Sequence, residues 1–304
     1  MFGRVLCAGA HSSLAPTLSA GRASNFWPLS LFLRRQVRQR VADADGPTGS
    51  FPDPSRHAAP VPPFGPGAGT CARGYVPPAM IWFRKKSRGP ASSHPEVRDS
   101  LFGDETLASC AEVIPDDPDT PWARLHAARA SQQVGDVRQA RAQLRGLLDL
   151  PEIETRLRLQ AWTCLRELGE QPPADVASVE RGVVIETADA DGLRTLAVYE
   201  DMTACLIEPS GLCVDWVTPD EAVHAHVRRI LELAKVVLAK TDPVHGPREP
   251  APEPGHASIT VLTHAGPHTG SDELARLEHD AMGGPLLRAA AALRRELVAR
   301  RQAR

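Results

Sequence analysis

Lysine is almost missing from this 304-residue chain, with four lysines against thirty-one arginines. That bias points to GC-rich coding rather than to a chemical role. Aromatic residues are also scarce, at 5% of the chain, so any core has to be built from Leu, Val, Ile and Ala. No charge predominates. The formal net charge is −2, which gives no global field to draw in nucleic acid or an anionic membrane. No apolar run approaches the roughly 20 residues needed to span a bilayer. The best, "NFWPLSLFL", is short and broken by Pro28. Neither nucleic acid nor stable membrane insertion is therefore expected.

Catalytic signatures are missing too: there is no H-E-x-x-H, no G-x-x-x-x-G-K-[ST], no G-x-S-x-G and no C-x-x-C. "FGPGAGTCARG" crowds glycines together, but no strand precedes it. Cys7, Cys71, Cys110, Cys164, Cys205 and Cys213 form no regular framework. They read as reduced thiols of a cytoplasmic protein, with disulfides as the alternative. No cofactor or metal is expected.

Proline is plentiful and unevenly spread. Residues 1–42 hold six Arg and no acidic residue, the composition of a transit peptide. Residues 43–79 hold nine Pro and no hydrophobic periodicity, so they cannot bury enough apolar surface to offset chain entropy. Residues 1–79 are expected to be a disordered leader. Because Met80 opens "MIWFRKKSRG" like a natural start, the leader reads as upstream sequence in an over-long reading frame. A targeting segment or a disordered tail are the alternatives. Ile81, Trp82 and Phe83 precede Arg84, Lys85, Lys86 and Arg88. Local packing or an exposed terminus is preferred there over contact with a membrane surface. Residues 80–98 read as a linker.

From 99 to 172 the period is helical. "DETLASCAEVI" places Leu107, Cys110, Ala111 and Ile114 on one face. Thr120 can cap a helix with Pro121 at its first position. Gly135-Asp136 breaks the pattern, and Val137, Ala140, Leu144, Leu147 and Leu148 line a second helix. Ile153, Leu157, Ala161, Cys164 and Leu168 form a third stripe, closed by Gly169. The segment "WARLHAARASQQVGDVRQARAQLRGLLDLP" resembles a tetratricopeptide repeat (TPR), although its Trp sits about two positions early. The resemblance implies a peptide-binding concavity, and a plain helical bundle is the alternative. A single unit cannot bury its own apolar face, so neighbouring elements must cover it.

From 178 to 302 an α+β domain is expected. "RGVVIET", "LRTLAVYE", "TACLIE" and "LCVDWV" are strand-like and separated by short turns, which makes an antiparallel meander. Thr218 is the expected cap of the next helix, with Pro219 first and Glu221 completing a capping box. Its stripe of Val223, Val227, Ile230, Leu231, Ala234, Val237 and Leu238 should pack across the meander. A Pro-rich linker, 241–256, leads to "ASITVLTHAG", which is expected to hairpin through Ala265-Gly266 into "PHTGS". Ser271 can cap a short helix. That helix contains Leu274 and Leu277, Gly283-Gly284 should break it, and Pro285 should start a last helix. Helices covering one sheet face is the simplest arrangement, compatible with a profilin- or roadblock-like order.

The run "LAVYEDMTACLIEPSGLCVDWVTPDE", with "ITVLTHAGPHTGS" and "MGGPLLRAAAAL", resembles a family of uncharacterised bacterial proteins. There a similar helical segment, "LQAW…LRELG…PP", precedes the meander. The likeness spans roughly residues 120–300. It implies a shared fold and no established activity. It also implies glycine at the second hairpin turn, where this chain has Met202.

No catalytic, cofactor-binding or metal-binding residue is assigned. Cys205 and Cys213 flank the Pro209-Ser210-Gly211 turn, and register decides whether they share a face. Both are read as small core hydrophobes. His224 and His226 point apart on one helix. His264 and His268 could face each other across a turn, with Asp272 or His279 as further ligands, but a solvated turn is preferred over a metal site. Glu200, Asp201, Glu208 and Asp215 read as the polar side and turns of the sheet. Arg294, Arg295, Arg300, Arg301 and Arg304 suit a helix C-terminus.

The expectation is a non-enzymatic adaptor that binds a protein partner or associates with itself. The alternatives are a small-molecule sensor with a pocket between meander and helix, and an enzyme using Cys205 or Cys213.

Overall fold

The computed structural model describes residues 92–109 and 120–303. The leader, the start at Met80, the basic segment at 84–88, and Cys7, Cys71 and Cys110 lie outside the described residues. So do Ala111, Ile114 and Arg304.

Eight helices and six strands are described: α1 (Pro95–Ser100), α2 (Pro121–Gln133), α3 (Val137–Leu148), α4 (Thr155–Glu167), α5 (Ala174–Ala177), β1 (Gly182–Asp189), β2 (Gly192–Tyr199), β3 (Ala204–Ile207), β4 (Cys213–Trp216), α6 (Glu221–Leu238), β5 (His256–Thr263), β6 (Gly266–Glu273), α7 (Leu274–His279) and α8 (Gly283–Gln302). The strands make one antiparallel sheet in the order β4-β3-β2-β1-β5-β6. The expected meander forms its first four strands, and the β5–β6 hairpin adds to the free side of β1.

On the first face, Val183, Ile185, Leu196, Val198, Leu206 and Trp216 meet Val223, Val227, Ile230, Leu231 and Ala234 of α6, and Leu286, Leu293 and Leu297 of α8. Burying each large side chain is worth about 1.5–3 kcal/mol, as an upper estimate. That packing holds the long helix more firmly than its intrinsic propensity.

Helices cover both faces, not one. The second face presents Val184, Ala197, Tyr199, Cys205, Ile207 and Leu262 to Leu101, Phe102 and Leu159 of α4. Successive strand residues point to opposite sides, so strands apolar on both need two covers. The helical middle supplies the second. Leu157, Ala161, Cys164 and Leu165 on the other side of α4 pack with Leu125, Ala128, Leu144 and Leu147. The α2–α3 hairpin thus sits outside α4.

Residues 93–98, read as linker, belong to this second layer. Ser93 donates to the Glu208 carbonyl at 2.8 Å, and the Tyr199 hydroxyl donates to the Leu101 carbonyl at 2.6 Å. Gly103, at φ 58°, runs so close to α4 that a Cβ there would stand 2.8 Å from Leu159 Cβ. Leu107 is buried as expected, but residues 104–109 are coil and turn, not helix.

Thr120 caps α2 through the Ala123 amide, with Pro121 first. Val137, expected in the α3 stripe, is 40% exposed. The cap of α6 is Asp220, not Thr218: its carboxylate accepts from the Ala222 and Val223 amides and pairs with Arg300. A carboxylate satisfies the helix-end amides and favours the helix dipole, so it displaces the hydroxyl two residues earlier. Ser271 lies in β6, which runs on to Glu273. The short helix ends at His279, before the glycines, and Gly283 and Gly284 instead open α8, because Asp280 accepts from the Met282 and Gly283 amides. A Cβ on Gly284 would strike the Glu278 carbonyl. Met202 has φ 65°, the left-handed region that favours the glycine implied there.

Candidate functional site: a polar row beneath a proline strap

The second face is apolar along β2 and β3 but turns polar toward β5 and β6. Register sets Thr195 opposite Glu186, Glu186 opposite Ser258, and Ser258 opposite Ser271. One polar row therefore crosses four strands. Thr260 and Thr269 pair in the next row, with their hydroxyls 3.1 Å apart.

Glu186 is almost fully buried and Arg98 of α1 holds it with both arms: Nε to Oε1 at 2.7 Å and Nη2 to Oε2 at 2.9 Å. The Thr195 hydroxyl adds a third bond at 3.1 Å. Burial works against the charge on Arg98, but the Glu186 carboxylate and then Asp99 outweigh it and raise its pKa. A buried ion pair costs desolvation that packed hydrophobes would avoid. Here it leaves a fixed polar floor.

The expected Pro-rich linker is a strap across this floor. Val244 donates to the Pro267 carbonyl at 2.7 Å, and Gly255 donates to the Ala188 carbonyl at 2.8 Å. Between those ties, the Arg248 guanidinium lies 3.9 Å from the centre of the Phe102 ring and 2.9 Å from Asp99. Asp104, 3.6 Å from Arg248, is pushed up by burial and drawn back by that arginine.

The result is a cavity of about 330 Å³. Glu186, Ser258, Thr260, Thr269 and Ser271 form the floor, Pro250 and Pro252 the wall, and Glu249, Glu253 and Asp272 bring carboxylates to the lining. Most small-molecule sites are largely apolar with a few polar anchors. This one is lined mainly by polar and charged residues, with Phe102, Pro250, Ala251 and Pro252 as its apolar part.

Compared with known proteins, the chain matches no protein family, no curated protein and no solved structure.

Sequence reasoning placed its pocket between meander and long helix, whereas the polar cavity lies across the sheet from α6. Arg98 and Glu186 carry no local signal, being 88 residues apart. Ser258 and Thr260, alternating with Ala257, Ile259 and Val261, were legible as one polar face.

The other candidates fall in three places. Cys205 opposes Asp215 and Cys213 opposes Ile207, so both thiols share the second face as diagonal neighbours. Neither is in a disulfide. The Cys205 thiol hydrogen-bonds Cys213 and is held up, while Cys213 is drawn down to about 7 by that bond, against its own burial, with help from His94. Cys213 is half-buried and packs against the apolar cluster of the second face.

His264 and His268 do not face each other. His264 is in the loop, and His268 opposes Val261 on the first face, where Nδ1 lies 3.1 Å from the Thr241 carbonyl. His264 turns instead toward Trp162 of α4. Both are buried rather than solvated. Among the described residues no group of three or more His, Cys, Asp or Glu is placed to hold a metal.

The hairpin carboxylates serve the fold. Asp201 accepts from the Thr155 amide at 2.8 Å and so caps α4 from the sheet. Glu208 is buried between Arg194 and Arg294, and Glu200 pairs with Arg181. Arg300 pairs with Asp220 and Glu296, so two of the C-terminal arginines are used inside the fold.

Proposed function

We propose that the protein binds a small polar ligand in the cavity beneath the strap, acting as a sensor or carrier in the cytoplasm. The observation that carries this reading is the polar row Thr195-Glu186-Ser258-Ser271 with its bidentate arginine. A buried row of this kind is a poor way to hold a sheet together and a good way to orient a hydroxylated ligand. Glu249, Glu253 and Asp272 outnumber Arg248 in the lining, which favours a ligand that also carries an amine.

Melting of the full chain against amines, amino sugars and polyols tests it, with nucleotides and phosphates as contrast. At a hundredfold excess over Kd, binding adds about 2.7 kcal/mol. For a chain of this size that is roughly 5–10 °C. Thr260→Val, which removes one floor hydroxyl at nearly constant volume, should diminish the shift. A flat response to amines and polyols, or an unchanged shift in Thr260→Val, refutes the proposal.

A second reading, an adaptor with a protein partner or a second copy, is favoured by the tip of the TPR-like α2–α3 hairpin. Val134 there is 81% exposed beside the half-exposed Val137. Light scattering of the wild type and of Val134→Asp/Val137→Asp tests it: self-association that the double variant abolishes supports it. A monomer in both leaves this reading only a foreign partner.

A further inference from the structure

His264 stands at the tip of the β5–β6 hairpin, 4% exposed, and neither ring nitrogen has a hydrogen-bond partner among the described residues. Its ring lies 5.7 Å from Trp162, tilted by 31°. Arg158, Trp162 and Arg166 recur every four residues, so α4 presents them along one side. Arg166 donates to the His264 carbonyl and, at 3.1 Å, to the Thr163 hydroxyl. From the sheet comes Arg181, whose amide donates to the Leu262 carbonyl at 2.8 Å. Nε of Arg158 and Nε of Arg181 are also buried without a partner among the described residues.

Buried nitrogens of His264, Arg158 and Arg181 therefore lack partners among the described residues, and the charge of both arginines bears on the imidazole. A buried donor without an acceptor is costly, and more so when it is charged. Three guanidinium groups act on His264, while Glu200 answers Arg181 and Glu167 lies near Arg166. Three like charges exclude a metal or an amine. An oxyanion meets both needs at once: its oxygens accept from several N–H groups, and its charge offsets the arginines. The planar guanidinium fork also matches carboxylate and phosphate oxygens.

We infer that Arg158, Arg181 and His264 form a binding site for one oxyanion group, a phosphate or a carboxylate. The site joins the helical layer to the sheet, so its occupation ties α4 to the β5–β6 hairpin. It is separate from the strap cavity, and it differs in the charge of what it takes.

The test is a thermal melt of the full chain in inorganic phosphate, in acetate and in chloride at matched ionic strength. Phosphate or acetate should raise the midpoint by several degrees over chloride, and the better of the two names the group. Arg158→Ala and His264→Gln should each weaken the effect at least tenfold on the concentration axis. Arg158→Lys keeps the charge but loses the fork, and should fall between them and the wild type. As a second readout, the NMR titration of the His264 ring should move to higher pH when the anion is added. Equal midpoints in all three salts would overturn the inference, as would a phosphate effect that persists in Arg158→Ala with the His264 titration unmoved.

Discussion

Arg98 grips Glu186 through two hydrogen bonds, at 2.7 and 2.9 Å, from a short helix outside the sheet to its central strand. Their side chains are only 11% and 4% exposed. Arg98→Ala would leave the carboxylate buried and uncompensated, and should destabilise the fold by about 3–5 kcal/mol. Replacing both, Arg98→Met with Glu186→Leu, should restore much of the loss. Urea denaturation of the wild type and both variants checks this, and a double variant no better than Arg98→Ala would count against a true ion pair.

The strap is a separate device. Arg248 stacks on Phe102 and pairs with Asp99 while partly open to water, a contact worth about 0.5–2 kcal/mol. Arg248→Ala should therefore lower global stability by no more than that. Hydrogen exchange, in contrast, should rise markedly at Val244 and Gly255, whose amides tie the strap to the sheet.

Acid should weaken the protein through His264. Its pKa is depressed to about 4, first by burial and then by Arg181, Arg158 and Arg166. In the unfolded chain it titrates near 6.5. Between those values the unfolded state binds the extra proton, so stability falls as pH drops from about 6.5 to about 4 and levels off below. His268, also depressed by burial, acts in the same direction. Urea midpoints against pH should be flatter over that window for His264→Gln than for the wild type, and identical slopes would refute the assignment.

The thiols offer a chemical readout. Alkylation of Cys213 should titrate with a midpoint near 7 because Cys205 donates to it. Cys205→Ala should move that midpoint up toward the ordinary thiol value, about 8.5. Peptide mapping separates the two, since chymotryptic cleavage after Leu206 or Leu212 falls between them.

At Met202 the backbone, not the side chain, sets the expectation. A residue with a Cβ at φ 65° costs roughly 1–2 kcal/mol relative to glycine. Met202→Gly should thus be more stable than Met202→Ala by about that amount, and equal midpoints in denaturant would show that the turn relaxes.

Much of the fold was legible. The α6 stripe has a helical period, and the four meander strands are bounded by turn residues, so both could be read without long-range knowledge. The second covered face was also written in Val183-Val184-Ile185 and Ala204-Cys205-Leu206-Ile207, continuous apolar runs that one buried side does not require. Other features depend on register: the turn between Thr263 and Gly266 sets His268 opposite Val261, three residues short of His264. The site depends on residues far apart in the chain. Arg98, Glu186 and Arg248 come together only because α1 and the strap both fold over β1 and β5.

Threonine-methyl NMR of the full chain against the amine and polyol panel tests the ligand reading most directly. Thr195, Thr260 and Thr269 lie on the cavity face, while Thr187 follows Ile185 on the other side and serves as the control. The account predicts saturable shifts at Thr260 and Thr269 with Thr187 unmoved. Spectra that stay unchanged across the panel, or that shift equally on both faces, would contradict it.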